Sequence, residues 1–311
     1  MTSLGVMTPA AWPVAENDQV ADTDDLEQTA AAFAELRPRL FGIGYRMLGS
    51  VTEAEDLVQD VWLRWQGTDR STVDNPAAYL ATTTTRLAIN ATKSARVRRE
   101  TYVGPWLPEP VDTSADPYLG AERAEALEFA VLLLMERLSP NERAAYVLRE
   151  AFDYPYGQIA EILQLSEAAV RQLVSRARKH VAAERRAPVA EAEQRKLLEA
   201  FVTAARSGDL AALEELFAAD VTSVSDGGGA ARASKFPVVG PTRVAKYLRA
   251  FASRFWVGVE VRWATVNGQP SALLSRDGEV FTVLIIDASA EGIDKVMWMM
   301  NPAKLTAVST A

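Results

Sequence analysis

YGQIAEILQLSEAAVRQLVSRARKH, residues 156–180, decides how the rest of the chain is read. Ile159, Ala160, Ile162 and Leu163 recur at helical spacing, Gln164 and Leu165 make a turn, and Ser166 stands where its hydroxyl accepts from the first amides of a second helix. That second helix buries Val170, Leu173, Ala177 and Val181 and turns Glu167, Ala168, Arg171, Gln172, Ser175, Arg176 and Arg178 outward. A tight turn followed by a basic helix is the pattern of a helix-turn-helix, with base contacts near the helix start and phosphate contacts from the arginines. A helical hairpin with a solvated basic face has the same pattern.

Composition narrows the chemistry around this element. The chain has 311 residues, room for two or three domains, and no cysteine, which excludes disulfides, thiolate metal sites and cysteine nucleophiles. Its one histidine, His180, ends the basic helix and argues against a histidine metal site or a Ser-His-Asp triad. No metal, cofactor or catalytic residue is assigned. There is no signal-like N-terminus and no apolar run of about 18 residues, so a cytoplasmic protein is expected. The net charge of -8 is unevenly spread: residues 1–31 hold 6 acids and no bases, whereas the bases cluster in 86–99 and 171–186.

Working outward gives a multidomain chain. Residues 1–28 read as a disordered acidic tail, with a first helix from about residue 27 to 48. Residues 52–55, TEAE, form a capping box opening a helix to about Trp65, which buries Ala54, Leu57, Val58, Val61, Trp62 and Trp65. Its outer strip of Glu53, Asp56, Gln59 and Asp60 reads, on periodicity alone, as a solvated face. Asn75-Pro76 opens a third helix that ends in KSARVRRE. Thr82, Thr83, Arg86, Asn90, Lys93, Arg96, Arg98 and Arg99 give it a hydroxyl-rich and basic face suited to a nucleic-acid strand. Four prolines make 101–118 an extended linker, and helices resume at about 120–138, followed by a capping box at 139–142. After Pro188 the pattern changes to helices, then four β-rich runs at 257–266, 271–274, 280–287 and 293–299 joined by Asn267-Gly268, Asp277-Gly278 and Glu291-Gly292 turns. This predicts a separate α+β domain with an antiparallel meander.

Residues 30–187 resemble an extracytoplasmic-function RNA polymerase sigma factor. AEDLVQDVWLRW, residues 54–65, is similar to the family's region 2.2, which docks on the polymerase; residues 76–100 resemble regions 2.3 and 2.4, which open and read the -10 element; residues 156–180 resemble region 4.2, which reads the -35 element. Residues 190–307 resemble a SnoaL-like domain of the NTF2 cone fold. Sigma factors with this extension carry WLPEP, DGGGK and NPDKL; here WLPEP is Trp106, Leu107, Pro108, Glu109 and Pro110, DGGG is Asp226, Gly227, Gly228 and Gly229, and NPAKL includes Asn301, Pro302, Lys304 and Leu305. Ala230 and Ala303 replace the group's Lys and Asp.

The resemblance implies a sigma region 2 domain at 29–101, a linker at 102–120, a region 4 domain at 121–187 and a regulatory cone at 188–311. It also implies that Glu53, Asp56, Gln59 and Asp60 dock on the polymerase. The implied partners are core RNA polymerase, through the β′ clamp helices and β flap, and promoter DNA. Regulation would come from WLPEP packing near DGGG and NPAKL, without a separate anti-sigma protein. Two other classes remain. One is a one-component helix-turn-helix regulator whose cone senses a small molecule. The other is an enzyme, disfavoured because the cone region has no histidine and one tyrosine, Tyr247. Phe255, Trp256, Trp263, Phe281, Met297 and Trp298 either line a ligand cup or, as ordinary strand packing suggests, form the core.

Overall fold

The computed structural model describes residues 18–113 and 127–309. Most of the expected tail, the end of the linker and the start of the helix expected at 120–138 lie outside those residues. The first helix, α1 (Asp18–Leu48), begins earlier than expected. No glycine or proline interrupts residues 18–37, so the helical pattern extends back through part of the acidic stretch.

Gly49 ends α1 at φ +65, a left-handed position that favours glycine, and the chain restarts at once as α2 (Val51–Gln66). This corrects the capping box expected at residues 52–55. Ser50 is the cap, its Oγ accepting from Glu53 N, because the tight Gly49 turn places Thr52 already inside the first turn. Helix α3 (Pro76–Glu100) begins with Asn75 Oδ1 accepting from Ala78 N. Its threonine run survives because Thr84 and Thr85 are buried and donate to the carbonyls of Leu80 and Ala81. The wholly polar threonine face is thereby reduced to Thr82 and Thr83, which stay half-exposed.

After the undescribed segment come α4 (Phe129–Met135) and α5 (Pro140–Tyr146), the latter with the expected Ser139/Glu142 capping box. A π-turn at Val147–Ala151 leads to α6 (Tyr156–Leu163) and α7 (Glu167–Glu184). Gln164 at φ 56 makes the turn and Ser166 Oγ caps Ala169 N. The apolar faces of these seven helices meet in one continuous core, from Phe33 and Trp65 on the first helices to Val174 and Val181 on α7.

The remainder is an α+β unit. Helices α8 (Glu191–Ser207), α9 (Leu210–Leu216) and α10 (Pro241–Phe255) pack on a six-stranded sheet of order β2-β1-β6-β5-β4-β3. The strands are β1 (Phe217–Asp226), β2 (Val238–Val239), β3 (Glu260–Val266), β4 (Gln269–Arg276), β5 (Glu279–Ser289) and β6 (Gly292–Met299). The last four form the expected antiparallel meander, but β1 adds parallel to β6. Alternate residues of β5 serve two cores: Leu284 and Ile286 pack toward α8–α10, while Val283 and Ile285 pack on the other face with Leu107 of the linker and Phe129 of α4. A sheet covered on both sides explains the uninterrupted apolar run VLII. A 3-10 turn (Pro302–Lys304) and α11 (Thr306–Ser309) close the described chain on that second face.

The Asn267-Gly268 turn, with both residues at positive φ, does more than reverse the chain. Asn267 is fully buried against the helical body: Oδ1 accepts from Val111 N at 2.9 Å, and Nδ2 donates to Tyr45 Oη at 2.7 Å and Leu127 O at 3.1 Å. Asn267→Ala is therefore expected to destabilise the full chain by about 1–3 kcal/mol, since buried donors and acceptors lose partners. Chemical denaturation measures this; a change within about 0.5 kcal/mol, usual for an ordinary exposed hairpin turn, would contradict the anchoring role.

Candidate functional site

The outward residues of α7, Glu167, Ala168, Arg171, Gln172, Ser175, Arg176 and Arg178, are all exposed, while Val170, Val174, Ala177 and Val181 are buried. Leu173 is only half-buried, and Val174 takes the core position. Three of the arginines are held by carboxylates: Arg171 by Glu167, Arg176 by Glu142 at 2.8 Å and Arg178 by Glu150 at 2.7 Å. Exposed pairs of this kind are worth about 0–1 kcal/mol, so a phosphate can replace the carboxylate at little cost. Arg171 also stacks over Tyr156, which holds it at the front of the helix.

On α2, Asp56, Gln59 and Asp60 are exposed, and Glu53 pairs with Arg98 of α3. With Asn90, Glu53, Asp56, Asp60 and Arg98 line one shallow groove between α2 and α3. The expected basic face of α3 is split. Asn90, Lys93 and Arg96 are exposed, but Arg86 donates to Ile162 O at 2.9 Å and Glu161 O at 3.3 Å. It thus caps the end of α6, the first helix of the helix-turn-helix. Arg99 is also removed from that face: it donates to Leu48 O, pairs with Glu136 and lies 3.7 Å over the Trp106 ring. Free carbonyls at the end of α1 draw it inward, as they draw buried Arg143 to Met47 O at 2.6 Å.

The described part of the linker, residues 102–113, is clamped rather than loose. Glu109 caps α2: its Oε2 accepts from Val51 N at 2.8 Å and Thr52 N at 3.3 Å, and its Oε1 from Ser50 Oγ at 2.7 Å. Tyr45 Oη donates to Glu109 O and Glu109 N to Gly49 O. Trp106 fits against Gly49 so closely that a Cβ there would stand 2.7 Å from its ring. Pro108 and Pro110 are buried, and Leu107 joins the core on the sheet's second face.

The carboxylate of Asp226, with no exposed surface, gathers all three sequence motifs. Its Oδ1 accepts from Tyr102 Oη at 2.5 Å and Gly228 N at 3.1 Å; its Oδ2 accepts from Leu107 N and from Lys304 Nζ, both at 2.8 Å. Lys304 Nζ also donates to Leu107 O at 2.6 Å and sits over Tyr102 and Trp106, so the Trp106 ring is flanked by two cations. Burial lowers the Lys304 pKa and the Asp226 charge opposes this; burial and Asp226 together raise the Tyr102 phenol well above its usual range, keeping it a donor. Asn301 Nδ2 donates to Tyr102 Oη, and its amide lies so near Gly228, at φ +57, that no side chain fits there. Gly227 packs on Ala231, Gly229 on Val103, and Leu305 on the second-face core; Pro302 is exposed. Ala230 and Ala303 are exposed and join the cluster only through backbone amides, Ala230 N donating to Gly227 O and Ala303 N to Asn301 Oδ1.

A second set of ion pairs ties the end of α7 to the sheet. Arg185 pairs with Glu128 and Asp287, and Arg186 with Asp220, Asp294 and Glu291. The roles of Tyr45, Tyr102, Arg143 and Arg185 carried no sequence signal, and Asn267 reads only as a turn residue, because each acts on partners from other parts of the chain. The apolar candidates of the cone divide: Phe255, Trp256, Phe281 and Trp298 line an open cup, Met297 faces the opposite core, and Trp263 is partly exposed on β3 outside the cup.

Two helical reading elements and a cone joined by a buried linker define a multidomain transcription factor of the sigma-70 type. Residues 32–98 match the model of Sigma-70 region 2, and residues 128–181 that of Sigma-70, region 4. The chain is 38% identical over 247 residues to "ECF RNA polymerase sigma factor SigJ" of Mycobacterium tuberculosis, covering 77% of this chain and 79% of that protein. It is 30% identical over 283 residues to "Probable ECF RNA polymerase sigma factor SigI" of the same organism, covering 90% and 95%. Among solved structures, the crystal structure of Mycobacterium tuberculosis SigJ superposes with a TM-score of 0.72 at 32% identity, covering 89% of this chain and 98% of that one. The chain belongs to the extracytoplasmic-function sigma factors, a family of promoter recognition and RNA polymerase binding. Two reading regions in place of one displace the one-component reading.

The Asp226 cluster predicts a coupled pair. Asp226→Ala alone leaves the Lys304 ammonium in a closed site and should weaken linker docking by about 3–5 kcal/mol. Asp226→Leu with Lys304→Met should recover much of that loss. Hydrogen exchange at the Leu107 amide reads it; equal protection in the wild type and Asp226→Ala would refute the role given to the carboxylate.

Proposed function

We propose that this chain is a polymerase-docking promoter reader held closed by its own C-terminal domain. In this reading Glu53, Asp56, Gln59 and Asp60 meet the β′ clamp helices. Thr82, Thr83, Asn90, Lys93 and Arg96 face the -10 strand, joined by Arg86 and Arg98 once these are released, and the exposed face of α7 enters the -35 major groove. Arg99 is assigned instead to the linker. The chain acts as an initiation factor in the cytoplasm and not as an enzyme.

The observation that carries the regulatory part is the contact of Arg86 with the end of α6. By their names the two promoter elements lie about 25 base pairs apart, roughly 85 Å at about 3.4 Å per step. Heads that touch each other cannot occupy both, so promoter binding requires them to separate. The cone opposes separation by fixing Trp106 and Leu107 of the linker, whose Glu109 is held by α2, and, through Arg185 and Arg186, the end of α7. No separate anti-sigma protein is then required.

Run-off transcription with core polymerase tests both parts. Leu107→Ala removes a fully buried anchor worth about 2–5 kcal/mol and should raise transcript yield at least severalfold over the full wild-type chain. Asp56→Arg with Asp60→Arg should abolish polymerase binding while leaving the fold intact. No initiation by the wild type or Leu107→Ala would reject the initiation reading; equal initiation by both would reject the closed-state reading.

A further inference from the structure

The cup inside the cone has a volume of ≈ 940 Å³ and opens beside the linker. Its floor is aromatic. Phe255 makes edge-on contacts with Trp256, Phe281 and Trp298 at 5.1–5.6 Å between centroids, and Tyr247 stands edge-on to Phe251 at 5.1 Å. Four cations, Arg232, Lys235, Arg254 and Arg276, border it, and no carboxylate lies among its lining residues. Arg276 is held in place: Nε donates to Val257 O at 3.2 Å, one Nη to Phe255 O at 2.8 Å, and its Cζ lies 4.8 Å from the Phe281 centroid. Arg232, Lys235 and Arg254 have no ion-pair partner among the described residues. Part of the rim belongs to the linker, since Val103 packs on Gly229 and Gly104 on Lys235.

We propose that this cup binds a small organic anion with an aromatic or extended apolar body and one carboxylate or comparable acidic group, and that the docked linker forms part of the site. The volume suits a ligand of drug-like size, and an apolar floor with few convergent polar groups is the usual composition of such a site. The apolar body lies on the Phe255, Phe281 and Trp298 rings, and the acid meets the rim cations, which bind it by charge-assisted hydrogen bonds. A molecule touching Val103 and Gly104 binds the docked linker better than the released one and shifts the population toward it.

The test uses the full chain with 2-naphthoate and its uncharged counterpart 2-naphthamide, each displacing 1-anilinonaphthalene-8-sulfonate and followed by fluorescence. Naphthoate should bind at one site per chain at least about tenfold more tightly than the amide. Lys235→Gln with Arg254→Gln should remove most of that preference and leave amide binding unchanged. Phe251→Glu, at an exposed rim position, should abolish naphthoate binding, while Val257→Glu, exposed but outside the cup, should not. Leu107→Ala should weaken naphthoate severalfold if the docked linker completes the site. Equal affinity for acid and amide, or equal loss in Phe251→Glu and Val257→Glu, would overturn the site; unchanged affinity in Leu107→Ala would overturn the linker's part in it. Only the effect on transcription rests on the proposed function. A chain that binds naphthoate as described but initiates no transcript rejects that function and leaves the site standing.

Discussion

The whole arrangement depends on one carboxylate that has lost its water. A buried Asp226 carboxyl is tolerable only if its oxygens find donors, and those donors come from Tyr102 and Leu107 in the linker, Gly228 in its own turn and Lys304 near the chain's end. Satisfying one carboxylate therefore ties together three segments, the linker 119 residues before Asp226 and Lys304 78 residues after it. This gives WLPEP, DGGG and NPAKL a shared physical reason. The two positions that depart from the group pattern, Ala230 and Ala303, are exposed and leave the bonded set complete.

Polar geometry sets where the parts meet, and apolar area supplies most of the adhesion. Leu107, Phe129, Val283, Ile285, Met299 and Leu305 form a dry layer between the sheet and the helical body. Such a layer alone tolerates sliding, since hydrophobic contact has no direction. Asp226 at one end, Asn267 in the middle and Arg185 at the other remove that freedom. Glu109 extends the same order to α2, because a carboxylate at a helix start satisfies orphan amides and meets the positive end of the helix dipole.

Local chemistry was legible in the sequence. The turn at Gln164, the Ser166 cap, the Ser139/Glu142 box and the three meander turns all depend on residues within a few positions of one another. The faces of α2 and α7 were largely legible too, since helical periodicity separates Val58 and Val170 from Asp56 and Ser175, although Val174 and not Leu173 takes the core position. What could not be read was any role completed from far away. Glu109 looks like a linker acid until α2 offers it amides, and Arg99 looks like a phosphate binder until Trp106 and Glu136 enclose it. Thr52 reads as a cap on its spacing from Glu55 alone, whereas the left-handed Gly49 lets Ser50 cap the helix two residues earlier.

The linker also finishes the sheet. Beyond Glu109 it runs beside β3, where Asp112 bridges to Val266, Thr113 N donates to Thr265 O and Asn267 N to Val111 O. In the sheet order β3 is an outermost strand, so these residues cover the inner end of an open edge. Undocking the linker bares that edge along with Val266 and the apolar layer below it. An uncovered strand is a template for other chains, with only Glu260 and Arg262 along β3 to repel them. The docked linker thus also shields the sheet edge from self-association, and a chain with the linker released would need a new covering for β3.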